Sequence, residues 1–372
     1  MKFRVERDVL AEAVTWVARS LPSNPPVPVL AGLLLEASPD GVLRLSSFDY
    51  EVSARVEVPA DVSDGGTVLV SGRLLADISR SLPAWPVDVA TDGSRVEITC
   101  GASRFTLLTM PVDDYPTLPT MPESSGVVAG GDFTQAVAQV TVAASRDDTR
   151  PVLTGVLAQI DGEKLTLMAT DRYRLAVRTL PWRPADPGLQ ATALVRARTL
   201  SEVSKALGAV GDITLALPSD GAGELIGFEA GGRRTTSLLM DGEYPQVLGL
   251  FPAEHLGAAE VATAALAEAA RRVSLVAGRH AAVRLRFTDG AIVLEAGQGE
   301  DAQASEAVDA SLTGDEVVLA FNPQYLLEGL SGVNAETTLM TFTQPTKPVV
   351  ISAAGEHHAG FRYLVLPVRL NS

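Results

Sequence analysis

The sequence contains only one cysteine, Cys100, so no disulfide can form within the chain. This scarcity favours a reducing compartment, and we expect a cytoplasmic protein. A membrane-spanning helix would require a run of about 18 apolar residues, and the sequence has no such run. Residues 1–6 alternate in polarity like a strand and do not form a basic-then-apolar leader, so we expect neither a membrane span nor secretion. Aromatic residues make up only 5% of the chain, which predicts a core of Leu, Val and Ala.

Motifs typical of enzymes are also missing. The sequence has no Gly-x-x-x-x-Gly-Lys-Ser/Thr phosphate loop and no Gly-x-Ser-x-Gly elbow, and residues 221–227 miss the dinucleotide-binding spacing by one position. The histidines have no metal-ligand spacing, so we expect no cofactor, no metal and no catalytic residue. Two carboxylate pairs, Asp113-Asp114 and Asp147-Asp148, leave open the alternative of a metal-dependent enzyme acting on DNA.

Positive charge is scarce as well. The formal net charge is -15, which on its face argues against a nucleic-acid partner, because duplex binding normally relies on basic patches.

A long internal repeat organises the chain. A strand-to-helix junction recurs at equal spacing at Leu69, Leu194 and Leu319. The first two repeats share a Val-Leu-x-Gly segment, and both end in a Met…Tyr-Pro segment, 110–116 and 240–245. The repeat is longer than a solenoid unit of about 20 to 50 residues, so it predicts a triplicated domain. The order helix, strands, helix, strands within each copy predicts two helices on antiparallel sheets, an α+β fold.

Some elements can be predicted individually. Apolar spacing predicts helices over 133–144, 199–207 and 266–276, and it places Ser71 and Asn322-Pro323 at helix starts. Apolar runs at 165–169 and 175–180 predict two strands joined by a tight turn, with Asp171 as the turn former. Taken alone, this hairpin is an ordinary charged loop.

Several segments together resemble the bacterial sliding clamp family, the beta subunit of DNA polymerase III. They cover the chain in one register from residue 1 to about 370: Met1-Lys-Phe-Arg-Val-Glu-Arg7, Val27-Pro-Val-Leu-Ala-Gly-Leu-Leu-Leu35, Ala169-Thr-Asp-Arg-Tyr-Arg-Leu-Ala176, Phe321-Asn-Pro323 and Tyr363-Leu-Val-Leu-Pro-Val-Arg-Leu370. The Ala-, Arg- and Val-rich composition is similar to that of actinobacterial members.

The resemblance implies three clamp domains at 1–122, 127–252 and 253–372. Two chains would pair head to tail as a homodimer, closing a six-domain ring around duplex DNA. It also implies a non-catalytic processivity factor that tethers the replicative polymerase alpha subunit, the clamp loader and other clamp-binding-motif proteins, with cyclic peptide antibiotics as further ligands. A ring holds DNA by topology, which answers the objection from charge. A clamp paralogue kept as an antibiotic-resistant target copy remains an alternative.

Basic residues of the helices and adjoining loops would face the DNA. These are Arg19, Arg73, Arg80, Arg146, Arg150, Arg196, Arg198, Lys205, Arg271, Arg272 and Arg279. Asn24 stands where the family often has an arginine. Each basic residue could equally be a solvated helix charge.

By the same resemblance, partners present a short peptide with Gln and bulky apolar residues to a pocket between the second and third domains. The implied positions are Leu153, Thr170, Arg172, Tyr173, Arg174, Leu175, Pro245, Leu250, Leu364, Leu366, Pro367, Val368 and Arg369. Thr170, Arg174 and Arg369 would supply a polar rim. Alternatively, Leu364 and Leu366 are inward residues of the last strand.

The implied dimer contact joins the first domain of one chain to the third domain of the other. It would use Leu75, Ile78, Leu82, Phe105, Leu107 and Leu275. Intradomain core is the alternative for these leucines, although one helix can serve both uses.

Overall fold

The computed structural model describes residues 1–22, 24–217, 224–278, 281–297, 302–355 and 360–369. These residues form two compact units. Unit 1 comprises Met1–Gly131, Arg183–Asp186 and Glu202–Leu239, and unit 2 comprises Asp132–Trp182, Pro187–Ser201 and Met240–Ser372. The predicted domain boundaries do not coincide with this division and stay a prediction.

In the first third of the chain, the described residues form two α-helices and ten strands. In chain order these are β1 Lys2–Val5, α1 Arg7–Ala18, a 3-10 helix Pro28–Ala31, β2 Gly32–Ser38, β3 Val42–Phe48, β4 Val52–Pro59, β5 Asp61–Asp64, β6 Gly66–Ser71, α2 Gly72–Ser81, β7 Val87–Asp92, β8 Arg95–Cys100, β9 Ser103–Met110 and β10 Ser124–Val128.

The middle third repeats this order. Its elements are α3 Gly130–Thr141, a 3-10 helix Pro151–Thr154, β11 Gly155–Asp161, β12 Lys164–Thr170, β13 Arg174–Pro181, β14 Arg183–Pro184, β15 Gln190–Arg196, α4 Ala197–Leu207, β16 Ile213–Ala216, β17 Leu225–Ala230, β18 Arg233–Leu238 and a 3-10 helix Leu248–Leu250.

The last third has the same pattern. Its elements are β19 Gly257–Ala262, α5 Thr263–Val273, a 3-10 helix Ser274–Val276, β20 Val283–Thr288, β21 Ala291–Ala296, β22 Ala304–Thr313, β23 Val317–Phe321, α6 Pro323–Ser331, β24 Thr337–Phe342, β25 Val349–Ala353 and β26 Phe361–Val365. The α+β fold with repeated helix pairs and antiparallel sheets is confirmed.

Each unit is built on one large antiparallel sheet. Unit 1 has 14 strands in the order β14-β10-β16-β17-β18-β4-β3-β2-β6-β9-β8-β7-β1-β5. Unit 2 has 12 strands in the order β15-β11-β12-β13-β26-β25-β24-β19-β22-β21-β20-β23. The amphipathic helices bury one face each, as α1 does with Leu10, Val14 and Val17. Among the described residues, no helix combines the length and hydropathy needed to cross a membrane.

The shared Val-Leu-x-Gly segments have a packing role. Each makes a 3-10 turn and then enters a strand at Gly32 or Gly155. A Cβ at Gly32 would lie 2.6 Å from the side chain of Leu69, and one at Gly155 would lie 2.7 Å from that of Leu194. Glycine therefore lets the leucine of the recurring junction pack directly against the backbone. Residues 28–31 and 151–154 are thus 3-10 helical, and β2 and β11 follow them directly.

The two predicted helix caps differ. The Asn322 side chain accepts hydrogen bonds from the backbone nitrogens of Gln324, at 2.9 Å, and Tyr325, at 3.3 Å, which confirms that cap. Ser71 lies at the N-cap position of α2, but its side chain makes no capping hydrogen bond.

Candidate peptide-binding site

The site is organised around the turn between β12 and β13 in unit 2. Asp171 Oδ1 accepts hydrogen bonds from the backbone nitrogens of Tyr173, at 3.0 Å, and Arg174, at 3.1 Å. This Asx-type turn confirms Asp171 as the turn former. Arg172 takes the left-handed conformation, with φ 80°. The turn therefore fixes its own geometry through local hydrogen bonds.

Thr170 links the turn to the Met…Tyr-Pro segment. Its backbone nitrogen donates to the Tyr244 hydroxyl at 3.0 Å, and its own hydroxyl donates to the Arg174 carbonyl at 2.6 Å. Burial raises the pKa of Tyr244, so its hydroxyl stays protonated across the physiological range. Tyr244, the tyrosine of the repeated Met…Tyr-Pro segment, therefore fixes the position of the turn through this hydrogen bond.

Arg174 is buried under the turn, with 5% of its side chain exposed. Its Nε donates to Asp171 Oδ2 at 3.0 Å, and its Nη1 donates to Glu328 and, at 3.3 Å, to the Tyr363 hydroxyl. The guanidinium also lies 4.2 Å from the ring centre of Tyr325. Arg174 therefore ties β13 to α6 and β26.

The expectation that Thr170 and Arg174 form a polar rim was wrong. Both side chains are buried and satisfied within the chain, and only Arg369 of the three is exposed. Thr170 and Arg174 would therefore not contact a bound peptide directly but would stabilise the turn that the peptide contacts.

An apolar cluster forms the floor of the site. Its buried members are Leu153, Met168, Leu175, Val177, Leu194, Tyr244, Val247 and Leu364, with Val152, Leu157, Met240 and Phe251 packed on it and partly accessible. Three predicted pocket positions, Leu153, Leu175 and Leu364, are therefore core residues beneath the surface. For Leu364 the inward-strand alternative is confirmed.

The accessible positions lie on three segments that surround this floor. Arg172 and Tyr173 project from the turn, Pro245 and Leu250 follow Tyr244 in the chain, and Val368 and Arg369 lie in the carboxyl-terminal tail. Leu366 and Pro367, at the base of the tail, are half-buried.

Two backbone hydrogen bonds fix the tail. The Leu366 nitrogen donates to the Tyr173 carbonyl at 2.9 Å, and the Val368 nitrogen donates to the Ala320 carbonyl at 2.7 Å. The turn and the tail are thereby held side by side, and unit 2 brings the accessible predicted positions to one surface.

Sequence reasoning missed part of the site. Met168, Val177, Val247 and Phe251 belong to the floor, and Phe251 lies under the Arg362 guanidinium at 4.3 Å. The repetition of the Met…Tyr-Pro segment could have indicated that Tyr244 has a structural role, because a segment kept in two repeats suggests a shared conformation. Glu328 gave no signal, since an acidic residue on a helix is ordinarily solvated.

The predicted DNA-facing residues can be placed individually. All of them except Arg279 are exposed, and Arg279 lies outside the described residues. Arg272 is held by Glu306 at 2.7 Å and by Glu268 at 3.5 Å, and Arg80 pairs with Asp77. The charges of these two are therefore partly neutralised, which makes them weaker candidates than Arg19 or Arg271.

The predicted dimer residues divide into buried and exposed groups. Leu75, Ile78, Leu82 and Leu107 are buried in unit 1, and Phe105 is half-buried. This burial supports the intradomain alternative for the helix residues. Leu275, in contrast, is 82% exposed in the 3-10 helix that follows α5, and Leu74 and Leu108 are exposed neighbours of the buried group.

Asp147, one member of the carboxylate pairs, holds a local turn. Asp147 Oδ1 accepts from the backbone nitrogen of Thr149 at 3.0 Å and from its hydroxyl at 2.7 Å. The Thr149 hydroxyl lowers the pKa of Asp147. Within the described ranges, no three His, Cys, Asp or Glu side chains group closely enough to hold a metal ion.

Three family models match the chain in consecutive segments. They describe the DNA polymerase III beta subunit N-terminal domain at residues 1–119, the central domain at 128–246 and the C-terminal domain at 249–369. This order agrees with the three repeats along the chain. The chain belongs to the DNA polymerase III beta subunit family, the beta sliding clamps.

Individual relatives agree with this membership. The chain is 55% identical over 376 residues to the beta sliding clamp of Streptomyces coelicolor, with 100% of both chains covered. It is 44% identical over 375 residues to the beta sliding clamp homolog GriR of Streptomyces muensis, again with 100% of both covered. A crystal structure of the Pseudomonas aeruginosa sliding clamp bound to griselimycin is 26% identical, with a TM-score of 0.91 and full coverage of both chains.

Proposed function

We propose that the protein is a non-catalytic cytoplasmic processivity factor. It encircles duplex DNA as a head-to-tail homodimer and tethers the replicative polymerase through the site around Asp171. The observation that supports this proposal is the match of the three beta-subunit domain models, in order, along almost the whole chain.

The charge distribution suits a ring that slides. A formal net charge of -15 would oppose tight electrostatic binding to DNA, whereas a closed ring needs only a modest basic lining. Exposed basic residues at helix ends, such as Arg19 and Arg271, and in loops, such as Arg146, could supply that lining. We propose that the exposed predicted residues face the duplex.

Open strand edges support the homodimer. Residues 103–108 of β9 pair with β8 on one side, and only Thr109 and Met110 pair with β6 on the other. Likewise, residues 304–309 of β22 pair with β21, whereas 310–313 pair with β19. In the described part of the chain, each of these stretches has one edge without a strand partner, and such edges are templates for pairing with another chain.

The site around Asp171, which we call the client site, is suited to apolar peptide side chains. Tyr173, Leu250 and Val368 are exposed above a packed apolar floor. Apolar surface that a bound peptide buries there would contribute about 25 cal/mol per Å² to the binding free energy. The griselimycin-bound clamp from P. aeruginosa supports extending the ligand class to peptide antibiotics. Arg172 and Arg369 would set the register of the bound peptide from the edge.

A resistance paralogue is the second candidate. The chain is 44% identical to GriR but 55% identical to the S. coelicolor beta sliding clamp over the same full length, which favours the replicative clamp.

Retention on DNA tests the topological proposal. After loading by a clamp loader, we expect the protein to stay on nicked circular plasmid through a high-salt wash, because a topological link does not depend on phosphate contacts. Cutting the plasmid once should release it. Equal retention on circular and linear DNA, or loss from both in salt, would contradict encirclement.

Shortening the tail tests the client site. Deletion of residues 367–372 should weaken binding of a polymerase-derived peptide about tenfold, because loss of roughly 60 Å² of apolar contact corresponds to about 1.5 kcal/mol. Fluorescence anisotropy with a labelled peptide measures the affinity. The deletion spares Tyr363, which is fully buried, and β26, which lies between β13 and β25, so the fold should persist.

Leu256→Ala is a matched control for the tail deletion, since Leu256 is an exposed apolar residue of the same unit outside the site. Unchanged peptide affinity in the deletion, or an equal loss in the control, would remove the tail from the site. A truncation beginning at Tyr363 would remove core residues and could not separate loss of binding from loss of folding.

A further inference from the structure

The first repeat contains a turn with the same construction as the client-site turn. Asp49 Oδ1 accepts from the backbone nitrogens of Glu51, at 3.0 Å, and Val52, at 2.7 Å, as Asp171 does in the middle repeat. Tyr50 has φ 74° and corresponds to Arg172. Within the described ranges, these two are the only non-glycine residues with a left-handed backbone.

The surroundings of the turn are repeated as well. The Phe48 nitrogen donates to the Tyr115 hydroxyl at 2.7 Å, as Thr170 does to Tyr244. The Leu238 nitrogen donates to the Glu51 carbonyl at 2.8 Å, as Leu366 does to Tyr173. Beneath the turn lies a second apolar cluster that includes Val29, Leu30, Leu34, Leu69 and Tyr115. Unit 1 therefore contains a turn, an adjoining strand (β18) and an apolar cluster that correspond to the turn, β26 and the floor of the client site in unit 2.

The turn and strand β18 border an open cavity of about 410 Å³. Its lining includes Phe48, Tyr50, Pro119, Glu224, Leu225 and Leu238. Tyr50 is 54% exposed although its ring lies 5.8 Å from that of Phe48, and Leu238 is also exposed. The volume lies within the range of small-molecule and side-chain pockets, about 300–1,000 Å³.

The charges around this cavity differ from those of the client site, where arginines and carboxylates both occur. Arg172, Arg362 and Arg369 lie around the client site. The segments that contain and flank the lining residues, 45–53, 117–124, 224–226 and 237–239, have no Lys or Arg. Glu224 lines the cavity, and the exposed Glu123 is next to the lining residue Pro122. An acidic opening over an apolar lining favours a ligand that combines positive charge with a bulky apolar group.

We propose that this surface, the unit 1 pocket, binds a short basic peptide segment of a partner protein. A Leu or Phe side chain of the segment enters between Tyr50 and Leu238, and flanking Lys or Arg residues pair with the carboxylates of the opening. The proposal adds a second docking site with a different ligand preference, and it does not depend on DNA encirclement.

Two labelled peptides test the proposal by fluorescence anisotropy on the full chain. The probe Lys-Leu-Lys-Phe-Lys has both features, and Lys-Ala-Lys-Ala-Lys keeps the charge without the apolar anchors. We expect the first to bind at least about tenfold more tightly. Tyr50→Asn, which tolerates the left-handed backbone, and Glu224→Lys should each weaken its binding about tenfold.

Arg172→Asn is the matched control, because it changes the equivalent turn position in unit 2. It should leave the affinity for Lys-Leu-Lys-Phe-Lys unchanged. Equal binding of both probes, which would reflect general attraction to an acidic chain, would overturn the proposal, as would an equal loss in Arg172→Asn. A change in sedimentation of Tyr50→Asn would assign the pocket to a second copy and also overturn it. Retention on circular DNA should be unaffected by Tyr50→Asn, so failure here is distinct from failure of the clamp function.

Discussion

Replacing Leu275 with aspartate should convert the dimer into monomers. Leu275 is 82% exposed in the single chain, and its burial at an interface would contribute about 2 kcal/mol. A two-chain ring contains two such interfaces, so the loss is about 4 kcal/mol, or about a thousandfold in the dissociation constant. Sedimentation velocity across a concentration series measures the change.

Leu256→Asp is the matched control for Leu275→Asp. Leu256 is 72% exposed in the same unit and precedes β19. This variant should remain dimeric at the concentrations where Leu275→Asp is a monomer. If both variants dissociate, or neither does, Leu275 is not part of the dimer contact.

Replacing Arg174 with alanine should lower the free energy of unfolding of unit 2 by about 3–5 kcal/mol. The substitution leaves Asp171 and Glu328 without their shared cation in a partly buried site and removes the contact with the Tyr325 ring. Urea dependence of amide hydrogen exchange in β13 and β26 measures the loss where it should occur. Client-peptide binding should fall as well, because the turn loses its support.

Arg172→Asn serves as the comparison for Arg174→Ala. Arg172 is exposed beside Arg174 in sequence, and asparagine accepts its left-handed backbone. Its unfolding free energy should stay within about 0.5 kcal/mol of the parent chain. Comparable losses in the two variants would show that the buried ion pairs do not stabilise the turn.

Much of the fold could be predicted from the sequence because its signals are local or periodic. The hairpin over 165–180, the turn-forming role of Asp171 and the Asn322 cap all depend on hydrogen bonds within a few residues. The threefold recurrence of Leu69, Leu194 and Leu319 indicated domain repetition without any knowledge of packing. The 3-10 helices at 28–31 and 151–154 escaped prediction, since their apolar runs resemble strands.

The sequence predicted which segments form the site, but it did not predict the role of each residue. The accessible positions Tyr173, Leu250 and Val368 lie at the surface, whereas Thr170 and Arg174, expected at the rim, are internal supports. The likeness between the turns at Asp49 and Asp171 was also hidden, because Tyr50 and Arg172 share a backbone conformation and not a side-chain type.

The sequence by itself determined the triplicated α+β organisation, the turn at Asp171 and the family resemblance. Hydrogen-bond chemistry within a turn and apolar periodicity along an element are both properties of neighbouring residues. Only the tertiary structure decided that Arg174 is buried against Glu328, that Leu75 and Ile78 are core, and that Leu275 is exposed. Burial of a charge or a leucine depends on what distant segments bring to it, and Glu328 lies 154 residues from Arg174 in the chain.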